Sequence, residues 1–198
     1  MLDLVDLVPN SPWTYIAVAS LVAIDAVFPL APSETLLVAG GVLVADGDLS
    51  LPFLGLAAVI GALAGHSLLY VLGVRFGPQL RRRLFASRRA AANLEQMSRA
   101  LHERTWLLIV SDFLPAGRTA AMFAAGGLGL SPARFYSYVV PGAVLWASFY
   151  LMLGVAGGSA FGGEGWRPLA VSLSAALAIA AVAELIRVVR ARRSEKRV

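Results

Sequence analysis

Cysteine is missing from all 198 residues, which excludes disulfides, thiolate metal centres and cysteine nucleophiles. Histidine occurs only twice, as His66 and His102, and that argues against a histidine-rich metal centre. Of seventeen basic residues only Lys196 is a lysine. Charged residues make up 15% of the chain, against about 25% in soluble domains. The first residues, MLDLVDLVPN, hold Asp3 and Asp6 where a cleavable signal would hold a basic stretch, so none is expected.

What is present is apolar. Hydrophobic residues reach 58%, where about 45–50% is ordinary, and mean hydropathy is +0.73. These residues come in long blocks, so the chain reads as an all-α integral membrane protein with one polytopic domain over 1–198. The net charge of +5 is not read as a nucleic-acid signal. Basic residues flank apolar segments, where the positive-inside rule and anionic lipid head groups explain them.

Residues 1–12 suggest a short interfacial segment, followed by the interfacial aromatics Trp13 and Tyr15. From Tyr15 to Val44 the chain is apolar, but FPLAPSE breaks it at Pro29 and Pro32. Each arm would measure roughly 16–22 Å, short of the ~30 Å hydrocarbon core. This predicts a re-entrant hairpin carrying Asp25 and Glu34. The loop ADGDLSLP leads into a span predicted over 51–74. Residues 75–104 hold Arg75, Arg81, Arg82, Arg83, Arg88, Arg89, Arg99 and Arg104 against Glu95 and Glu103. That composition predicts a cytoplasmic amphipathic segment beside anionic head groups.

The stretch 106–130, WLLIVSDFLPAGRTAAMFAAGGLGL, predicts a second hairpin broken at Pro115 and Gly117. A span over about 135–161 follows, with Pro141 and Gly142 as a possible kink, then a turn at 162–168. A last span is predicted over 169–189, before a basic tail at 190–198. With both basic blocks in the cytoplasm, residues 45–50 and 162–166 fall outside. An internal repeat fits that arrangement. Glu34-Thr35, then Ala39-Gly40-Gly41-Val42 and Leu49-Ser50, match Arg118-Thr119, Ala125-Gly126-Gly127-Leu128 and Leu130-Ser131. The hairpins would then enter from opposite faces, as in transporters that bind substrate at the midplane between broken helices.

Arg118 is the leading site candidate. A charge at the bilayer centre costs about 2.5–3.5 kcal/mol on insertion scales, so such residues usually line an interior or a path. A guanidinium beside a helix N-terminus, with Gly117 and Thr119 as neighbours, suits an anionic phosphate. The plainer reading is an internal ion pair that fixes the hairpin. Glu34 reads either as a helix-start carboxylate or as a partner of Arg118 and a proton carrier. Asp25 reads as a satisfied structural carboxylate or a proton carrier. Asp112, six residues before Arg118, would meet it across the hairpin tip and compete with a phosphate. At an effective dielectric of ~20 such a pair attracts by ~4 kcal/mol at about 4 Å before desolvation. His66 reads as a packing residue, or as the group that exchanges a proton with Asp112. Trp146 and Trp166 read as packing or anchoring residues.

These pieces together carry a family resemblance. FPLAPSETLLVAGGVL, GALAGHSLLYVLGVRFG and DFLPAGRTAAMFAAGG, with Phe135, Gly142 and Trp146 after them, resemble the DedA membrane proteins over about residues 25–160. The region they share is also called the VTT or SNARE-associated domain. The resemblance implies two opposed re-entrant hairpins and a role in moving lipids across the bilayer. Its bacterial members are associated with recycling undecaprenyl phosphate, with phospholipid translocation and with proton-linked membrane fitness. It also implies that Arg118 is the essential arginine, with Glu34 and Asp25 at the acidic positions. Two positions depart from it: many relatives carry arginine at Asp112, and aspartate or asparagine at His66.

The expectation is a transporter or scramblase for undecaprenyl phosphate or a glycerophospholipid in a bacterial inner membrane. Arg118, Glu34, Gly117 and Thr119 would hold the phosphate, and Asp25, Glu34, Asp112 and His66 would couple charge. No cofactor, metal or nucleic acid is expected, and a homo-oligomer is allowed. A proton-coupled permease and a non-catalytic assembly factor are the alternatives. A membrane phosphatase has the least support, since no nucleophile motif or histidine pair stands out. The absence of native cysteine makes the topology testable by labelling from each side. Ser87→Cys should react only from the cytoplasm and Asp46→Cys only from outside; reaction of both from one side would contradict the inverted arrangement.

Overall fold

The computed structural model describes residues 11–28, 33–84, 99 and 101–160. Among them the protein is all-helical. The helices are α1 (Pro12–Val27), α2 (Ser33–Ala45), α3 (Leu51–Leu84), α4 (Leu107–Ser111), α5 (Pro115–Gly127) and α6 (Pro132–Ala160). Among the described residues two helices are long and apolar enough to cross a membrane, over Leu51–Gly77 and Pro132–Ser159, each with mean hydropathy 1.8. The expected span at 51–74 therefore sits inside α3, and the one at about 135–161 matches α6 up to its last residue, Ala160. α6 starts three residues earlier than expected and runs on as one helix through Pro141.

The other helices are short. α1 has 16 residues and α2 and α5 have 13 each, so none exceeds about 24 Å at 1.5 Å per residue. Proline sets their starts, at Pro12 in α1 and Pro115 in α5, since the first helical position leaves its N–H unbonded in any case. The proline break at 29–32 lies outside the described residues, as do most of the interfacial segment 1–12 and half of the basic stretch 75–104. The turn at 162–168, the last span at 169–189 and the tail at 190–198 also lie outside.

The halves α1–α3 and α4–α6 exchange arms. α1 packs along its own long helix α3, and α4 along its own α6. α2 instead packs along α6, and α5 along α3. Glycine makes the exchanged contacts possible. A Cβ on Gly41 would stand 2.4 Å from the Leu151 carbonyl and 3.0 Å from the Val155 nitrogen. On Gly126 it would stand 2.0 Å from the Tyr70 carbonyl and 2.9 Å from the Val74 nitrogen. The receiving faces repeat as well, as Leu72-Gly73-Val74 on α3 and Leu153-Gly154-Val155 on α6.

These contacts correct the register of the repeat. They give Gly41 and Gly126 equivalent places in the two halves, so that Ser33, not Glu34, corresponds to Arg118. The Glu34-Thr35 and Arg118-Thr119 similarity is one residue out of step with the packing.

Two apolar clusters hold the bundle. One joins Val22, Leu37, Leu54, Trp146 and Leu151, and the other joins Tyr70, Leu108, Met122, Leu130 and Phe135. The turns between short and long helices are tied down in both halves. Gly47 (φ 88°) and Gly129 (φ 79°) take the left-handed backbone that glycine allows. The Ser50 N–H donates to the Tyr15 hydroxyl at 3.1 Å, and the Tyr70 hydroxyl donates to the Leu130 carbonyl at 2.5 Å.

Backbone-to-backbone packing has a direct test. Gly126→Ala should lower stability by about 1–3 kcal/mol or more, because a carbonyl blocks the methyl group. Gly55→Ala should be neutral or mildly stabilising, since its Cβ would meet only the Leu151 side chain at 3.7 Å. Thermal unfolding in detergent compares the two, and equal melting temperatures would contradict the packing.

Candidate functional site

A small set of charged and polar side chains lies between the two apolar clusters. Along α3, His66 falls between Ala62 of one cluster and Leu69 of the other. Along α6, Gly142 falls between Val139 and Ala143 in the same way. His66 and Trp146 both lie close to the middle of their spans. Asp25 lies in the last turn of α1, and Arg118 lies in the first turn of α5, whose helix begins three residues earlier, at Pro115. Arg118, Asp25, Asp112 and His66 are all at most 4% exposed.

The ion pair at the centre is Arg118 with Asp25. The guanidinium Nη2 donates to Asp25 Oδ2 at 2.7 Å, across 93 residues of chain. The Ser33 hydroxyl donates to the same oxygen at 2.5 Å. Thr119 donates its hydroxyl to the Ala26 carbonyl at 3.1 Å, beside the pair. The guanidinium carbon lies 5.5 Å from the centre of the Trp146 ring, within the range of a cation–π contact. Arg118 is thus held by a carboxylate and an aromatic face, and its carboxylate by a second donor. Arg118 also uses its backbone N–H on Leu114 O at 2.8 Å.

Each expected site residue can now be placed. Asp25 is the close partner of Arg118, in place of the Asp112 contact expected across the hairpin tip. Asp112 turns to His66 instead, with Oδ1 3.4 Å from Nε2. The reason is lateral packing. α4 lies against α6 with Asp112 Oδ2 beside Gly142, where a Cβ would stand 2.8 Å away. His66 and Asp112 both lie in the field of Arg118. Glu34 is half-buried in the first turn of α2, in the field of Arg118 and Asp25. Gly117 and Thr119 flank Arg118 in α5.

The sequence reading gives Ser33 no site role, and it takes Trp146 as a packing or anchoring residue, which its place in the first apolar cluster bears out. Ser33 aligns with Arg118 only through the packing of Gly41 and Gly126 on the Leu-Gly-Val faces, a register that no sequence signal announces.

The chain can also be compared with known proteins. The VTT domain matches residues 31–156. Inner membrane protein YabI of Escherichia coli K12 is 32% identical over 146 residues, or 73% of this chain and 57% of YabI. Inner membrane protein YohD of the same organism is 29% identical over 130 residues, covering 65% of this chain and 66% of YohD. The membrane protein ML0287 of Mycobacterium leprae is 31% identical over 121 residues, covering 60% of this chain and 54% of that protein. The matched part therefore spans between about half and two thirds of these relatives' own lengths. No solved structure matches significantly.

Breaking a buried pair from one side leaves the other charge uncompensated, at about 3–5 kcal/mol. Asp25→Ala should therefore destabilise the protein far more than Ser33→Ala, which removes one hydrogen bond to a charged group, at about 1.5–3 kcal/mol. Denaturation in detergent measures both, and equal losses would remove Asp25 from the centre of the network.

Proposed function

This chain belongs to the DedA family of VTT-domain membrane proteins, and from that premise we propose that it moves a phosphate-bearing lipid across an inner membrane. The observation that carries the reading is the buried Arg118–Asp25 pair, set where the starts of α2 and α5 meet the end of α1. A buried ion pair adds little net stability compared with apolar packing. Its presence at membrane depth points to a pathway for charge. A planar guanidinium can hold two oxygens of one phosphate, which a lysine ammonium cannot do in the same way.

In this reading α1–α2 and α4–α5 are re-entrant hairpins entering from opposite faces, and their breaks meet near the midplane. Asp25 occupies the guanidinium in the resting state. A lipid phosphate replaces that carboxylate, with Glu34 close enough to rebalance the charge. The substrate class is undecaprenyl phosphate or a glycerophospholipid, and the reaction is transfer across the bilayer without cleavage of the head group. A second reading, a proton-coupled permease for a small solute, draws on the buried His66–Asp112 contact.

Reconstitution into vesicles separates these readings. The parent should carry undecaprenyl phosphate or labelled phosphatidylglycerol between leaflets and leave the head group intact. Arg118→Ala should abolish transfer and Arg118→Lys should reduce it severely, with folded protein still recovered from the membrane. Near-parental transfer by Arg118→Ala would remove the phosphate role. Release of the head group would instead indicate an enzyme, and uptake of a small solute without lipid transfer would support the permease.

A further inference from the structure

Six buried side-chain atoms have no hydrogen-bond partner among the described residues, and they belong to four side chains. They are both ring nitrogens of His66, both carboxylate oxygens of Asp112, Arg118 Nε and Trp146 Nε1. Buried polar groups are nearly always partnered in native proteins, so a cluster of exceptions calls for a physical account. His66 and Asp112 stand 3.4 Å apart, close to meeting each other's need. Arg118 Nε and Trp146 Nε1 are different, because both are donors and neither can satisfy the other.

The two donors belong to stacked groups. The guanidinium carbon lies 5.5 Å from the indole ring centre, and Trp146 is 1% exposed. Arg118 already gives Nη2 to Asp25, so Nε is a donor that the resting ion pair leaves unused. Oxygen acceptors satisfy such donors, and hydrogen bonds to an anionic oxygen are the strongest of them. A tetrahedral phosphate offers several such oxygens, which can meet neighbouring donors together.

We propose that the Trp146 indole N–H is a direct phosphate ligand, acting with Arg118 to bind the lipid head group. This rests on the lipid-transfer reading and adds a residue to its site. Asp25 then holds one donor of the guanidinium at rest, while Nε and the indole N–H stay ready for the arriving phosphate. The ring of Trp146 serves Arg118 in both states through its face, and only its N–H is reserved for the ligand.

Phenylalanine separates the two roles, since it keeps an aromatic face and lacks the N–H. Phenylalanine is smaller than tryptophan and leaves a cavity in the apolar cluster, so a melting curve without lipid should first establish that Trp146→Phe is folded. Affinity of the purified full chain for undecaprenyl phosphate in dodecyl maltoside should fall about tenfold or more, the scale of one hydrogen bond to a charged group. Parental affinity in Trp146→Phe would overturn the proposal. A second measurement keeps Trp146 itself. With Trp13, Trp106 and Trp166 replaced by phenylalanine, the single remaining indole N–H resonance should move downfield on addition of undecaprenyl phosphate. Undecaprenol, which lacks the phosphate, should leave it in place. A resonance that ignores both lipids, or follows both equally, would overturn the proposal as well. Failure of the Trp146 arms alone leaves the role of Arg118 standing. A parent that binds neither undecaprenyl phosphate nor phosphatidylglycerol would overturn that role together with the proposal.

Discussion

The contact between Arg118 and Asp25 sets the terms for everything around it. Withdrawing two charges from water is expensive, and their attraction repays the cost only when the remaining polar atoms are also met. Ser33 meets one such need by donating to the shared Asp25 oxygen, and Trp146 covers the guanidinium with its ring. Holding these groups together requires the end of α1 and the starts of α2 and α5 to converge between α3 and α6. Convergence at that density requires glycine, and so the Gly41 and Gly126 contacts are part of the same constraint. The apolar clusters on either side keep the pair dry.

The candidate site could be read in part from sequence because charge is conspicuous in so apolar a chain. Asp25, Glu34, Asp112, Arg118 and His66 stood out for that reason, and the structure brings all five into one region. Their pairing was not legible. Asp112 is six residues from Arg118 and Asp25 is 93 residues away, yet lateral packing of α4 against α6 turns Asp112 toward His66. The repeat was visible, but its register was misjudged because Glu34-Thr35 and Arg118-Thr119 look alike as letters. Contacts between backbones decide register, and a glycine carries no side chain that would announce them. Trp146 reads from sequence as a packing or anchoring residue, and its burial agrees; its unpartnered N–H is visible only in the structure.

The two positions at which the chain departs from the DedA resemblance turn out to be neighbours. Relatives with arginine in place of Asp112, and aspartate or asparagine in place of His66, would set a base against an acid or amide. Here Asp112 and His66 face each other at 3.4 Å with the acid and the base exchanged. A reversal across a single contact changes the local field on each helix while leaving the pair able to balance itself.

The exchanged arms have a consequence for how the chain is made. α2 buries its glycine face against Leu151, Gly154 and Val155 on α6, about 110 residues further along the chain. Synthesis at about 5–20 residues per second puts that partner on the order of ten seconds away. Throughout that interval the first half has α1 and α3 in place but not the helix on which the Gly41 face of α2 packs. The second half inherits the complementary debt, since α5 can settle only on an α3 that has stayed open to receive it. Biogenesis thus becomes an assembly of two unfinished halves within one polypeptide, with α3 waiting for α5 and α2 waiting for α6.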